Sequence, residues 1–174
     1  ALNADGSRMA TAYIHYTGTK IQSIITIFDL TESGSALVDR IVGSAAFEDC
    51  VIADLKFDGD LCFFAGSDRF GAVDAKRTCE IVWEKTYACH TVSGVSGGVQ
   101  STPLLGKPGT DIEGLILYTV ARTPHGYDGV IVALNKETGD VVWENSMENY
   151  TWSSPTAVYT EGGKSYIVLC DSVG

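Results

Sequence analysis

The sequence lacks the features that mark membrane-spanning, nucleic-acid-binding and zinc proteins. No run of eighteen apolar residues occurs among its 174 residues, so no membrane-spanning helix is predicted. Lys and Arg number only 12 against 22 Asp and Glu, and the net charge of −10 argues against nucleic-acid binding, which depends on basic side chains. Three scattered histidines and five cysteines without C-x-x-C spacing give no indication of a zinc site.

The five cysteines are Cys50, Cys62, Cys79, Cys89 and Cys170. Four of them lie in or beside apolar strand patterns, where a free thiol behaves as a small hydrophobic side chain. The sequence therefore favours buried free thiols. A single disulfide is the alternative, and Cys62 with Cys79, on strands of one predicted unit, is the first pair to test.

A pattern of strand, polar turn and strand recurs along the chain. Its clearest copy is ALNKETGDVVW at residues 133–143, where an apolar run meets turn residues and a second strand ends on tryptophan. Another copy is AVDAKRTCEIVW at residues 72–83, and a fainter one is IFDLTESGSALV at residues 27–38. Repeats of about 40 to 50 residues with four short strands are typical of β-propeller blades. The residues that mark the repeat are Asp29, Gly34, Asp74, Trp83, Asn135, Thr138, Gly139 and Trp143.

Strand-forming runs divide the chain into four units of three, four, four and two strands, with the third strand of the first unit predicted at residues 36–42. Ser-x-Pro heads the third and fourth units, at residues 101–103 and 153–155, and no segment has a sustained helical period. We predict an all-β chain forming a single partial β-propeller domain over residues 1–174, built from four-stranded antiparallel blades. Two blades are predicted to be complete, at 44–90 and 99–148, and two to be partial, at 1–43 and 150–174.

This number of strands does not close a propeller in the usual way, and the chain begins at Ala1 without an initiator methionine. We therefore expect a piece that makes up about half of a larger disc. Open blade edges present unpaired backbone groups, so the expected partners are the remaining blades of a parent protein, or a second copy through self-association.

The segment at residues 133–143 resembles the pyrroloquinoline-quinone-type propeller repeat, whose consensus is A-x-D-x-x-T-G-x-x-x-W. Asn135 stands for the aspartate of that consensus, Cys79 stands where glycine is expected in the second copy, and Val38 stands for tryptophan in the first. The resemblance implies an eight-bladed propeller in many members, with each motif tryptophan packed between neighbouring blades. Trp83 and Trp143 are thus expected to be structural.

The resemblance also leaves two functions open. Members that oxidise alcohols or sugars hold pyrroloquinoline quinone on an aromatic platform, with a calcium ion and often a pair of adjacent cysteines. No adjacent cysteines occur in this sequence. Other members, such as the outer-membrane assembly lipoproteins, carry the repeat without quinone and serve as binding scaffolds.

One loop combines side chains suited to contact a ligand or partner. Arg122, His125, Tyr127 and Asp128 lie on a corner longer than the matching corner of the second unit, and loops carry function more often than strands do. Trp152 lies outside the repeat motif, where an exposed indole would be a candidate contact residue. The sequence favours the other interpretation, in which Trp152 packs under the preceding loop.

The function predicted from the sequence is a non-catalytic binding or scaffold module for a protein or small ligand, in a secreted, periplasmic or cell-surface bacterial protein, with no catalytic residue, cofactor or metal expected. The alternative is a fragment of a dehydrogenase for alcohols or sugars that uses pyrroloquinoline quinone and calcium.

Overall fold

Antiparallel strands make up nearly all the regular structure of the chain. The computed structural model describes residues 1–16, 18–31, 36–89, 91–92, 95–96, 98, 101–121 and 128–171. The strands are β1 (Arg8–Tyr16), β2 (Ile21–Asp29), β3 (Ile41–Glu48), β4 (Ile52–Asp58), β5 (Leu61–Gly66), β6 (Arg69–Asp74), β7 (Ile81–Thr86), β8 (Thr91–Val92), β9 (Val95–Ser96), β10 (Leu104–Leu105), β11 (Leu115–Val120), β12 (Val130–Asn135), β13 (Val141–Ser146), β14 (Thr156–Tyr159) and β15 (Ser165–Val168).

Each sheet is a meander in chain order. The sheets are β1-β2-β3, β4-β5-β6-β7, β10-β11-β12-β13 and β14-β15, and β8 pairs with β9 in a separate small hairpin. The predicted counts of three, four, four and two strands are confirmed. Within the described ranges there is no α-helix, only a 3₁₀ turn at Leu37–Arg40, and no helix has the length and apolarity to cross a bilayer.

The third strand of the first unit was predicted in the wrong place. Residues 37–40, assigned to that strand from their apolar residues, form the 3₁₀ turn, in which the Asp39 N–H donates to the Ala36 carbonyl at 3.0 Å. The strand is β3, Ile41–Glu48, which pairs with β2. It crosses the predicted boundary at residue 43, and the exact division of the chain into blades stays a prediction. Leu37 and Val38 favoured a strand because they are apolar, but both side chains are exposed and do not pack in a sheet interface.

The four sheets stack face to face, as the alternating side chains of the central strands show. In β5, Cys62 and Phe64 pack in the cluster shared with the first sheet, whereas Phe63 and Ala65 pack in the cluster shared with the third. Leu117 of β11 belongs to a further cluster that reaches the fourth sheet. Because successive strand residues point to opposite faces, each central sheet is covered on both sides. Stacked antiparallel meanders of this kind form a partial β-propeller.

The repeated turn is held by the side chain that opens it. Asn135 Oδ1 accepts the backbone N–H groups of residues 137 and 138 at 2.8 and 3.1 Å. Asp74 Oδ1 accepts those of residues 76 and 77 at 2.8 and 3.2 Å, and Asp29 Oδ1 accepts the N–H of Thr31 at 2.8 Å. An amide oxygen can accept the same bonds as a carboxylate oxygen, which explains why Asn135 replaces aspartate. Gly34 lies outside the described residues.

Trp83 joins the second sheet to the turn of the third. The indole is 7% exposed, and its Nε1–H donates to the Lys136 carbonyl oxygen at 2.8 Å. Gly139 follows Thr138 in that turn with φ +71°, and a Cβ placed on it would lie 2.5 Å from Cδ2 of Trp83. Two reasons therefore require glycine at this position: the backbone has a positive φ, and the indole ring occupies the space of a Cβ. Trp83 thus packs between the second and third sheets.

The first pair of sheets meets in a different way. Gly43 lies opposite Ile27 next to a bulge, which is the register position that Trp83 holds opposite Ala72. Gly43, and not Val38, is thus the residue that replaces the motif tryptophan. A Cβ on Gly43 would lie 2.0 Å from the carbonyl oxygen of Thr78. The turn of the second sheet therefore approaches the backbone of the first directly.

Cys79 fills the space beside Gly43, where the first sheet has no side chain. It adopts φ +58° at the turn position that corresponds to Gly139, a conformation that residues other than glycine seldom adopt. Its Sγ is buried and lies 3.7 Å from the Ile25 carbonyl oxygen. In the interface of the second and third sheets, a tryptophan on the outer strand packs against a glycine in the turn. In the interface of the first and second sheets, a glycine on the outer strand packs against a cysteine in the turn.

Removal of the Trp83 ring should destabilise the fold strongly. Trp83→Ala loses a buried ring and its hydrogen bond, so we expect about 3 to 5 kcal/mol less free energy of unfolding in urea titrations. Trp143, which is only half buried, should cost less when replaced by alanine. The exposed Trp152 is the matched control, and Trp152→Ala should change stability by less than about 0.5 kcal/mol. Equal losses in the three variants would contradict the assignment.

Gly43→Ala should also destabilise, by about 1 to 3 kcal/mol, because its Cβ collides with backbone rather than with a movable side chain. Gly114→Ala is the control, since a Cβ there meets no atom within 4 Å and its φ is not positive. Urea unfolding of both variants measures the difference, and a neutral Gly43→Ala would show that the close approach is absent in solution.

Candidate functional site

Only part of the predicted contact loop can be described. Arg122, His125 and Tyr127 lie outside the described residues, whereas Asp128, half buried, and Trp152 lie within them. The structure therefore tests where the loop begins and ends and what surrounds Trp152. It leaves the predicted roles of the four loop residues as predictions.

Both ends of the loop are fixed to the segment that leads into the fourth sheet. Thr151 N–H donates to the Ala121 carbonyl at 3.1 Å, and Ala121 N–H donates in turn to the Gly98 carbonyl at 2.7 Å. At the other end, Gly129 N–H donates to the Asn149 carbonyl at 3.1 Å. The loop thus leaves and re-enters the sheet beside the residues that immediately precede Trp152.

Trp152 is the exposed aromatic residue of this region. Its side chain is 53% exposed, so the expectation that it packs under the preceding loop is wrong. The flanking residues are held firmly: Ser153 N–H donates to Thr151 Oγ1 at 3.0 Å, and Ser153 Oγ donates to the Cys170 carbonyl at 2.9 Å. An indole presented to solvent from a constrained backbone is well suited to anchor a partner, because little conformational entropy is lost on contact.

Two grooves lie between the turns of neighbouring sheets, at the ends of the strands far from Trp152. One, of about 420 Å³, lies between the first two sheets and the other, of about 470 Å³, between the second and third. Their cationic groups already have partners. Lys136 Nζ contacts Asp58 Oδ2 at 2.6 Å, and Lys76 Nζ contacts Asp60 Oδ2 at 2.7 Å. These pairs tie turns together, and both lysines already contact a carboxylate.

Calcium needs several oxygen ligands gathered at one point. The described residues contain no group of three or more His, Cys, Asp or Glu side chains placed to hold a metal ion. The aromatic rings of the interior are used in packing: Phe47 lies 4.6 Å from Phe64, and Phe70 stacks on Tyr118 at 4.5 Å between centroids. No described residue is therefore assigned to quinone or calcium.

The five cysteines form no disulfide, and three of them are buried between the first two sheets. Burial raises the pKa of Cys50 and of Cys79 to about 11 and that of Cys62 to about 12, because the thiolate would lose its hydration. The preference for buried free thiols is confirmed for these three, and Cys62 and Cys79 form no disulfide. A neutral buried thiol is a poor nucleophile, so none of the three is a catalytic candidate.

Sequence reasoning missed the Ser and Thr hydroxyls that join neighbouring units near Trp152. Ser101 Oγ bonds Thr119 Oγ1 in the buried interior, Thr119 Oγ1 donates to the Ser153 carbonyl at 3.2 Å, and Thr102 N–H donates to Ser154 Oγ at 3.0 Å. The two Ser-x-Pro heads were recognised as a repeat marker. Their role as the polar link between blades was not, because the partners are 18 to 52 residues apart in the chain.

Comparison with known proteins identifies a family and a fold. Residues 1–91 match the model of a family described as "Family of unknown function (DUF5711)". No curated protein matches the chain. A europium-containing methanol dehydrogenase aligns in structure over 80% of this chain and 26% of its own, with a TM-score of 0.53 and 19% identity. At that identity the likeness supports the propeller fold alone.

Two further solved structures align over much of this chain. An acylaminoacyl peptidase from Pyrococcus horikoshii covers 87% of it, with a TM-score of 0.48, 11% identity and 24% of its own chain covered. A quinohemoprotein alcohol dehydrogenase from Pseudomonas putida covers 95%, with a TM-score of 0.45, 12% identity and 32% of its own chain covered. The present chain thus spans about a quarter to a third of the length of these proteins.

The buried thiols should make stability fall in alkali. Below about pH 8.5 they are neutral in both states; above it the unfolded thiols ionise, while the folded ones stay neutral until about pH 11. The free energy of unfolding should therefore fall with rising pH, by up to about 1.4 kcal/mol per pH unit for each thiol. Urea titrations in reductant at about pH 8, 9 and 10 measure the slope. Cys62→Ala should flatten it and Cys170→Ser, at an exposed position, should not.

Proposed function

The chain belongs to the family of unknown function DUF5711, and we propose that it is a non-catalytic binding or scaffold module of an extracytoplasmic bacterial protein. The observation that carries the proposal is the exposed indole of Trp152, held on a constrained backbone beside the fixed ends of the 121–129 loop. The faces that adjoining sheets turn to each other, by contrast, are occupied by packing between blades.

The proposed contact surface consists of Trp152 and the adjoining loop with Arg122, His125, Tyr127 and Asp128. An indole offers a large apolar area, and the sequence of the loop contains a cation, an imidazole, a phenol and a carboxylate. Such a composition suits a protein partner or a small polar ligand with an apolar part. The location outside the cytoplasm is part of the proposal and rests on the resemblance of the repeat.

A dehydrogenase fragment is the competing function, and it can be tested directly. The chain, incubated with pyrroloquinoline quinone and Ca²⁺, should not reduce a redox dye when methanol, ethanol or glucose is added, and its tryptophan fluorescence should not be quenched by the quinone. Turnover with any of the three would overturn the non-catalytic proposal. The same assay on a longer form of the protein serves as the control for a site completed by additional blades.

The binding role has its own test by site-specific photocrosslinking in cells of the source organism. A benzoylphenylalanine probe in place of Trp152 should form one or a few defined adducts. The same probe at Val142, an equally exposed position on an outer strand, is the matched control and should not form them. Equal crosslinking from both positions would remove Trp152 as the contact residue, whatever the outcome of the dehydrogenase assay.

A further inference from the structure

Strands β3, β7 and β13 are the outer strands of the first three sheets, and on the outer side of each no described residue forms a further strand. All three contain a β-bulge at the same register position, next to the motif tryptophan or the glycine that replaces it. A bulge interrupts the ladder and keeps other strands from adding to an edge. The first residues of the three outer strands are therefore protected in the same way.

Beyond the bulge, the direction of the backbone groups of β3 follows from the hydrogen bond that closes its ladder. Asp49 N–H donates to the Ile21 carbonyl at 2.7 Å, and the register of β2 and β3 is regular from there back to the bulge. In an antiparallel pair, alternate residues direct both their N–H and C=O groups away from the partner strand. Since Asp49 faces β2, the backbone groups of Glu48, Ala46 and Ser44 face outward.

The outer edges of β7 and β13 carry a charge that the edge of β3 lacks. Tyr87 N–H and Met147 N–H donate into their own sheets at 2.7 and 2.8 Å, so the residues before them alternate as in β3. The corresponding outward pairs are Ser44 with Ala46, Glu84 with Thr86 and Glu144 with Ser146. A charged side chain on an edge strand discourages the addition of another strand. In β3 a serine replaces that glutamate, and residues 41–47, IVGSAAF, contain neither a charged residue nor proline.

Exposure at these positions is a property of the outer strands. Ser44 and Ala46 are exposed, and so are their counterparts Glu84 and Thr86, although the second sheet is covered on both of its faces. The neighbouring Phe47 is buried against the second sheet and holds β3 in place. The edge of β3 is therefore an exposed, uncharged edge on a firmly packed strand.

We propose that the outer edge of β3 binds an extended segment of a partner protein, which adds to the first sheet as a further strand. Backbone hydrogen bonds supply the affinity in this mode of recognition, and the side chains supply the specificity. Ser44 and Ala46 are small, so the added strand can place β-branched or aromatic side chains opposite them. Glu48 and Asp49 are both exposed at one end of the edge, and they favour lysine or arginine at that end of the segment.

Charge decides between a second copy of this chain and a different protein. The chain carries a net charge of −10, so two copies repel each other over most orientations, whereas a basic segment is attracted. The uncharged residues 41–47 bring no carboxylate against the backbone of the added strand. The contact is separate from Trp152, which lies in the segment that precedes the fourth sheet.

The test is fluorescence anisotropy with a labelled peptide of sequence KTVTVTV and the 174-residue chain. The wild type should bind the peptide saturably, and a form of the peptide N-methylated throughout its backbone should bind at least tenfold more weakly, because it keeps the charge and the side chains but lacks the amide donors. Ala46→Pro removes one outward N–H and leaves the β2–β3 hydrogen bonds in place, and Ser44→Glu introduces the charge of the other outer strands. Each should weaken binding at least tenfold.

Matched controls make the same changes on the other outer strands. Thr86→Pro on β7 and Ser146→Glu on β13 should leave peptide binding unchanged. Trp152→Ala should also leave it unchanged, so the outcome does not depend on the contact surface proposed around that residue. Loss of binding in the controls as large as in the β3 variants would overturn the assignment to β3.

Amide hydrogen exchange supplies a second readout that does not depend on the variants. With the peptide bound, protection should increase at Ser44, Ala46 and Glu48 and stay constant at Ala45 and Phe47, whose amides face β2. A wild type that does not bind the peptide saturably would overturn the proposal, and so would binding that survives both β3 variants. Full protection of Ser44 and Ala46 without peptide would also overturn it, because another part of the chain or a second copy would then cover the edge.

Discussion

The contact between one sheet's outer strand and the next sheet's turn is the constraint on which the rest of the structure depends. Two twisted sheets stacked face to face leave a space where the outer strand meets the neighbouring turn, and close packing requires that it be filled. Trp83 fills it from one side and requires Gly139 on the other. At the first interface the turn of the second sheet fills the space, since its backbone lies against Gly43 and its Cys79 side chain is buried against the first sheet.

These two solutions explain several departures from the repeat at once. Loss of the tryptophan in the first copy, the cysteine in place of glycine in the second and the positive φ of that cysteine are one coupled change. Cys79 is buried in this interface as a packing side chain, and burial raises the pKa of its thiol to about 11. The described interior thus consists of packing side chains, and the proposed contact surface lies at the ends of the strands.

Much of the architecture could be predicted from the sequence because the repeat carries local chemistry. The Asn135 turn and the strand counts depend on residues close together in the chain or on alternation along a strand. The packing role of Trp83, whose partner Lys136 lies 53 residues away, was expected from the resemblance of the repeat. The third strand was misplaced because Leu37 and Val38 have strand-forming side chains but lie exposed in a 3₁₀ turn. Exposure is a property of the packed sheets, and no local pattern reports it. Trp152 was expected to pack under the preceding loop, and this prediction was wrong for the same reason, because its exposure depends on the packed sheets.

The sequence by itself determined that the chain is all-β, that it is built from repeated antiparallel units and that neither nucleic acid nor zinc is an expected ligand. Periodicity, turn residues and net charge are local or additive properties, so they can be read without a fold. Only the tertiary structure decided that Gly43 replaces the motif tryptophan and that Trp152 faces solvent. Each of these depends on what lies across a sheet interface or beside a strand, and therefore on residues that the chain brings together only when it folds.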